Sequence, residues 1–155
     1  MEYLHLIITQ FNLRRNYLSG DAGYDEWLEW TRNRIGLFRV YCLPSVLNQS
    51  CVDFKWLIFF DSDTPEEFRE FINYLASNDM IEICYSRGLE DFNASYATEV
   101  RKRIGKATKW VITTRLDNDD CLHRDAIMSV KDNIIPKHRY LISLASGYVL
   151  NIHEK

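Results

Sequence analysis

The sequence predicts an α/β fold, a three-layer α/β/α arrangement around a mostly parallel sheet. Three observations carry that prediction. Apolar runs without alternation recur at residues 4–11, 56–60 and 110–114, as in strands covered on both faces. Amphipathic helical patterns separate them, as parallel strands joined by crossovers require. The runs also end in polar or acidic residues: Asn12, then Asp61 and Asp63, then Asp117, Asp119 and Asp120.

In chain order, residues 4–11 form the first strand and lead into a polar turn, Asn12-Leu-Arg-Arg. Residues 16–26 collect Asn16, Ser19, Gly20, Asp21 and Gly23 and predict a loop. Trp27, Trp30, Arg34, Phe38 and Tyr41 recur at helical spacing, with Pro44 ending or kinking the helix and a short turn over 45–49. The second strand, 56–60, precedes Thr64-Pro65-Glu66-Glu67. There Thr64 is suited to cap, Pro65 to the first helical position, and Glu67 to complete a capping box. Phe68, Phe71, Ile72 and Leu75 supply that helix's apolar stripe. A short third strand is expected at 81–85, nearer an edge.

Phe92, Tyr96, Val100 and Ile104 predict a helix over 92–106. Arg101, Lys102, Arg103, Lys106 and Lys109 read as a solvated basic face complementing its carboxyl end. The strand at 110–114 takes the centre of the sheet. Ile127, Val130 and Ile134 then predict a helix stopped by Pro136, followed by a fifth strand at 140–144 and a sixth at 148–152.

A chain of 155 residues suits a single domain, 1–155, able to bury roughly 70% of its unfolded surface. The net charge of −3 offers no electrostatic reason to expect nucleic acid or an anionic membrane as partner. No apolar stretch approaches the length of a transmembrane helix, and the N-terminus starts as a strand instead of a signal peptide. Cys42, Cys51, Cys84 and Cys121 form no CxxC pair, which favours reduced thiols and a cytoplasmic location, with one disulfide left open.

The turn after the first strand is neither GxGxxG nor GxxxxGK[ST], so a dinucleotide fold or P-loop is unsupported. No histidine is paired at zinc-ligand spacing, and Gly-x-Ser-x-Gly is absent. There remains Asp117-Asn118-Asp119-Asp120, behind Arg115. Hard divalent cations bind oxygen ligands. Mg²⁺ is usually held by one or two carboxylates with a substrate phosphate completing the shell, and Mn²⁺ accepts the same donors. Asp117, Asp119 and Asp120 are therefore candidate metal ligands for Mg²⁺ or Mn²⁺. A calcium loop fits less well, for lack of the Gly and later Glu of an EF-hand. The bland alternative is that Asp119 or Asp120 caps the next helix. Asp61 and Asp63 are equally open to a role as turn residues.

The stretch Arg115-Leu-Asp-Asn-Asp-Asp120 resembles the DxD region of GT-A-fold glycosyltransferases, in particular the rhamnosyltransferase family. Further matching pieces are Leu6-Ile-Ile-Thr-Gln-Phe-Asn12, Leu37-Phe38, Tyr41-Cys-Leu-Pro-Ser-Val-Leu-Asn-Gln-Ser50, Phe54-Lys-Trp56 and Asp61. The resemblance implies a GT-A-like sheet and a nucleotide-diphosphate sugar as donor. It implies that Asp117 and Asp119 hold metal and diphosphate, with Arg115 preceding them. It also implies that Asp61 lies near the nucleoside and that Thr9 and Asn12 border the same pocket. Gln10 stands where an arginine is expected. Residues 121–155 contain no recognisable catalytic base or acceptor wall, so an N-terminal, donor-binding part is expected. Two rivals stay open: a non-catalytic nucleotide- or metal-binding module, and a nucleotidyltransferase sharing the sheet and acidic site.

Overall fold

The structure, a computed structural model, describes residues 3–15 and 23–151. Its strands are β1 (Tyr3–Gln10), β2 (Lys55–Asp61), β3 (Ile81–Ser86) and β4 (Trp110–Arg115), all parallel, in the order β3-β2-β1-β4. The helices are α1 (Tyr24–Leu37), α2 (Leu43–Leu47), α3 (Arg69–Ala76), α4 (Gly88–Lys102) and α5 (Ala126–Asp132). The register aligns Gln10 with Phe59 and Ile8 with Arg115. All loops that leave the strands' carboxyl ends therefore emerge from one end of the sheet.

Apolar residues on both sides of β1 and β2 build a core on each face. Ile7, Phe11, Trp56, Ile58 and Phe60 meet Phe38, Val46, Phe71 and Ile127 on one face. Leu6, Ile8, Leu57 and Phe59 meet Cys84, Phe92 and Val100 on the other. Thus α1, α2, α3 and α5 cover one side and α4 the other, which gives the three-layer α/β/α fold.

Handedness explains that division. The chain steps leftward from β1 to β2 to β3 with its helices on the first face. It then steps back across both to β4 with α4 on the second face. Right-handed crossovers require this change of side. The reversal leaves a crevice between the carboxyl ends of β1 and β4, the place where open α/β sheets bind ligands.

Several expected elements shift. Within the predicted loop 16–26, residues 16–22 lie outside the described set. Gly23, at φ +87°, precedes α1, which begins at Tyr24. Pro44 does not end the helical path. A π-helical turn over Phe38–Cys42 resets the register, and Pro44 falls in the first turn of α2, where a missing N–H costs little. Thr64 does not cap a helix. Its hydroxyl donates to the Asp61 carbonyl at 2.6 Å, and a 3₁₀ turn over Glu66–Phe68 leads into α3. Glu67 bonds Arg32 across the surface instead of closing a capping box. The helix expected over 92–106 is α4, which ends at Lys102. Arg103 leaves the predicted solvated face to bond Glu82 at 2.6 Å.

The larger correction concerns β4 and residues 116–151. This strand is at the edge of the described sheet, not its centre, and its residues alternate between half-buried and exposed. No fifth or sixth strand forms among the described residues. Residues 140–151 have no regular structure, and Leu141, Tyr148 and Val149 stand in solvent. A physical reason is the side on which α5 packs. Ile127 joins the core beneath α1–α3, whereas a right-handed crossover from β4 outward would need the α4 side. A groove of about 420 Å³ separates β4 from residues 134–142. Finally, α5 ends at Asp132, short of Ile134 and Pro136.

Candidate active site

At the carboxyl end of β1 the chain turns through buried polar side chains. Thr9 is fully buried. Its hydroxyl donates to the Leu116 carbonyl at 2.8 Å and accepts from the Trp56 indole N–H at 2.9 Å. The pin therefore ties β2 and the end of β4 to β1. Asn12 accepts from the Asp61 backbone N–H at 2.9 Å and donates to Thr64 Oγ1 at 3.1 Å. The Asp61 carboxylate is fully buried and accepts from the backbone N–H groups of Arg14 (3.1 Å) and Asp63 (3.0 Å). Charged acceptors make the stronger hydrogen bonds, and this one clasps the loop after β1 to the loop after β2. Trp27 on α1 donates to the Asn12 carbonyl at 2.8 Å, which fixes the helix against the same turn.

The crevice between β1 and β4 opens into a cavity of about 290 Å³. Gln10, Phe11, Leu13 and Arg15 line it from β1 and its turn. Arg115, Asp117, Asn118 and Asp119 line it from β4 and its loop. Trp30 and Arg34 of α1 and Leu89 of α4 close the sides.

Arg115 holds Asp117 through two contacts, at 3.1 and 3.4 Å. Arg34 is ion-paired with Asp119, and its guanidinium lies 5.0 Å from the centre of the Trp30 ring. Asn118, between the two aspartates, is buried and donates from Nδ2 to the Phe11 carbonyl at 2.6 Å. That bond sets the acidic loop against the end of β1. Burial and the negative charges of Asp119 and Asp117 push the Asp120 carboxyl up, against an opposing pull from Arg34. The buried Cys42 thiol approaches the Asp117 carbonyl at 3.7 Å, and desolvation raises it far above the ordinary thiol range. All four cysteines are free.

The candidates named from sequence thus separate into two groups. Arg115, Asp117 and Asp119 line the cavity, and Asp120 adds charge beside it without lining it. Thr9, Asn12 and Asp61 are buried in the supporting network and do not line this cavity. Four contributors escape sequence reasoning. Arg34 and Trp30 read there only as one helix face, Asn118 only as a spacer, and Leu89 carries no mark. The one available signal is Asn118, an amide placed between two acids.

A hard divalent cation fits the donor set. Two carboxylates face one cavity, which is the number that Mg²⁺ commonly takes from protein. The Arg115–Asp117 pair is exposed, and such pairs contribute only about 0–1 kcal/mol, so its guanidinium is displaceable. Among the described residues, no three His, Cys, Asp or Glu side chains form a ready-made cation cage. Any further ligands would come from water or substrate.

Residues 22–155 match the family described as "Putative rhamnosyl transferase". The chain belongs to that family. The match runs from α1 through the acidic loop to the last residue, and β1 lies before it. Comparison with curated proteins finds no match. Among the described residues no helix is long and apolar enough to cross a membrane.

Proposed function

We propose that the chain binds the diphosphate of a nucleotide-sugar donor in the cavity between β1 and β4 and serves glycosyl transfer. The family's description points to rhamnose as the sugar. Asp117 and Asp119 would hold Mg²⁺ or Mn²⁺, with Asp120 adding negative charge nearby. The observation that carries this reading is the placement of both aspartates beside three arginines, Arg15, Arg34 and Arg115, at the sheet's switch point. A site with both charge signs suits a cation and a polyanion bound together.

Each part of the chain has a task in this reading. In glycosyl transfer the bond from the anomeric carbon to a diphosphate oxygen breaks, an acceptor oxygen bonds that carbon, and negative charge collects on the departing diphosphate. When bound, the cation offsets that charge. The arginines orient the phosphates by directed N–H donation, which suits their planar fork. Phe11, Leu13, Trp30 and Leu89 supply apolar wall. Asn118 and the Thr9 and Asn12 networks keep the loops in place before ligand arrives, so less ordering is needed on binding.

Calorimetry with UDP and dTDP tests the reading. Binding should be measurable with Mn²⁺, fall on adding EDTA, and fall strongly in Asp119→Asn, which keeps size but removes charge. Equal affinity with chelator present would refute metal bridging.

A further inference from the structure

Arg34 occupies an unusual position among the three cavity arginines. It is the one held on a helix, and that helix is pinned at its start by the Trp27 bond to the Asn12 carbonyl. Its side chain is a quarter exposed, whereas that of Arg115 is three-quarters exposed. Trp30, one turn earlier, flanks it at 5.0 Å, and Asp119 takes one of its nitrogens. A guanidinium offers five N–H donors, so this pairing leaves donors for another acceptor in the same cavity.

We propose that Arg34 is a diphosphate-binding residue that exchanges partners. It is paired with Asp119 while the cavity holds no nucleotide. It passes to a phosphate oxygen when a divalent cation takes the Asp119 carboxylate. The inference rests on the donor-site reading above. Charge arithmetic supports the exchange. Three arginines against Asp117 and Asp119 give the cavity lining a balance of +1. A divalent cation raises it to +3, and the doubly negative diphosphate of a sugar nucleotide restores +1. Cation and diphosphate together thus leave the balance unchanged, and Arg34 passes from Asp119 to the diphosphate. Because the Trp30 ring stays beside it, the guanidinium keeps one wall of its setting through the exchange.

Arg34→Gln and Arg34→Lys, in the full chain, separate this role from a structural one. Two quantities are read: Mn²⁺ affinity without nucleotide, by electron paramagnetic resonance, and UDP or dTDP affinity at saturating Mn²⁺, by calorimetry. The exchange predicts opposite signs in Arg34→Gln. Mn²⁺ should bind about two- to five-fold more tightly, since Asp119 has lost its competitor. The nucleotide should bind about ten- to a hundred-fold more weakly, as befits a lost bond to a charged group. Lysine should recover part of the nucleotide affinity, as a point charge without the fork. Parallel losses of both affinities with a lowered melting temperature would overturn the proposal in favour of a structural role. Unchanged nucleotide affinity in Arg34→Gln, with the wild type binding normally, would overturn it alone. A wild-type chain that binds neither nucleotide at saturating Mn²⁺ would overturn the donor-site reading and this exchange together.

Discussion

Replacing Asn118 by alanine tests how the acidic loop is held. The side-chain amide donates to the Phe11 carbonyl at 2.6 Å, in a place where Asn118 is 4% and Phe11 1% exposed. Truncation removes the bond and leaves that carbonyl facing apolar surroundings, where an orphaned polar group costs about 1–3 kcal/mol. Taking the middle value, a loss of about 2 kcal/mol should lower the melting temperature by about 4–8 °C in a domain of this size. Asn118→Asp should be worse than alanine at neutral pH. It points a carboxylate at a carbonyl and adds a fourth negative charge beside Asp117, Asp119 and Asp120. Below the introduced carboxyl's pKa, its O–H can donate to Phe11, so this variant should recover relative to alanine as pH falls. Scanning calorimetry of the three proteins at neutral and acidic pH is the assay. An alanine variant within about 0.5 kcal/mol of wild type, or an aspartate variant with no acid recovery, would refute the claim that this bond sets the loop.

Other outcomes concern the buried polar groups. Thr9→Val removes the acceptor of the Trp56 indole and the donor to Leu116, and should cost about 2–4 kcal/mol in urea unfolding. An unchanged midpoint would contradict the pin. His5 is 2% exposed, bonded through Nε2 to Thr114 at 2.8 Å, and held neutral by desolvation, with its pKa lowered to about 4 against a slight opposing pull from Asp53. Because the unfolded chain takes up the proton first, this contribution is complete above about pH 6.5 and is lost as pH falls towards 4, by up to about 3 kcal/mol. His5→Gln should flatten the stability profile across that window. Profiles that run parallel to wild type would show that another group titrates.

The sheet was legible because β2 and β4 announce themselves twice, as apolar runs and as the acids that follow them, while β1 reads as an apolar run ending in Asn12. In a parallel sheet those ends share one edge, so Asp117 and Asp119 could be expected to face a common crevice without knowing strand order, and both line the cavity between β1 and β4. The position of β4 was not legible. Trp110 to Thr114 has the composition of a covered strand, yet only packing reveals that α5 lies under Phe38 and Trp56 and carries the chain away from β4's free edge. Arg34 was hidden for a related reason. Its place beside Asp119 depends on how α1 crosses the end of β1, which the bond from Trp27 to Asn12 sets. Thr9, Asn12 and Asp61 stand in a support network that strand-end position alone does not reveal. Their side chains bond backbone groups of the neighbouring strands and loops, pairings that depend on which strand ends lie side by side.

The most direct measurement is a crystal structure of the chain grown with Mn²⁺ and a nucleoside diphosphate, with manganese located by its anomalous scattering. A manganese peak bonded to Asp117 and Asp119 is expected, with a diphosphate in the cavity lined by Arg15, Arg34 and Arg115. Manganese bound elsewhere, or a nucleotide seated in the groove between β4 and residues 134–142, would contradict it.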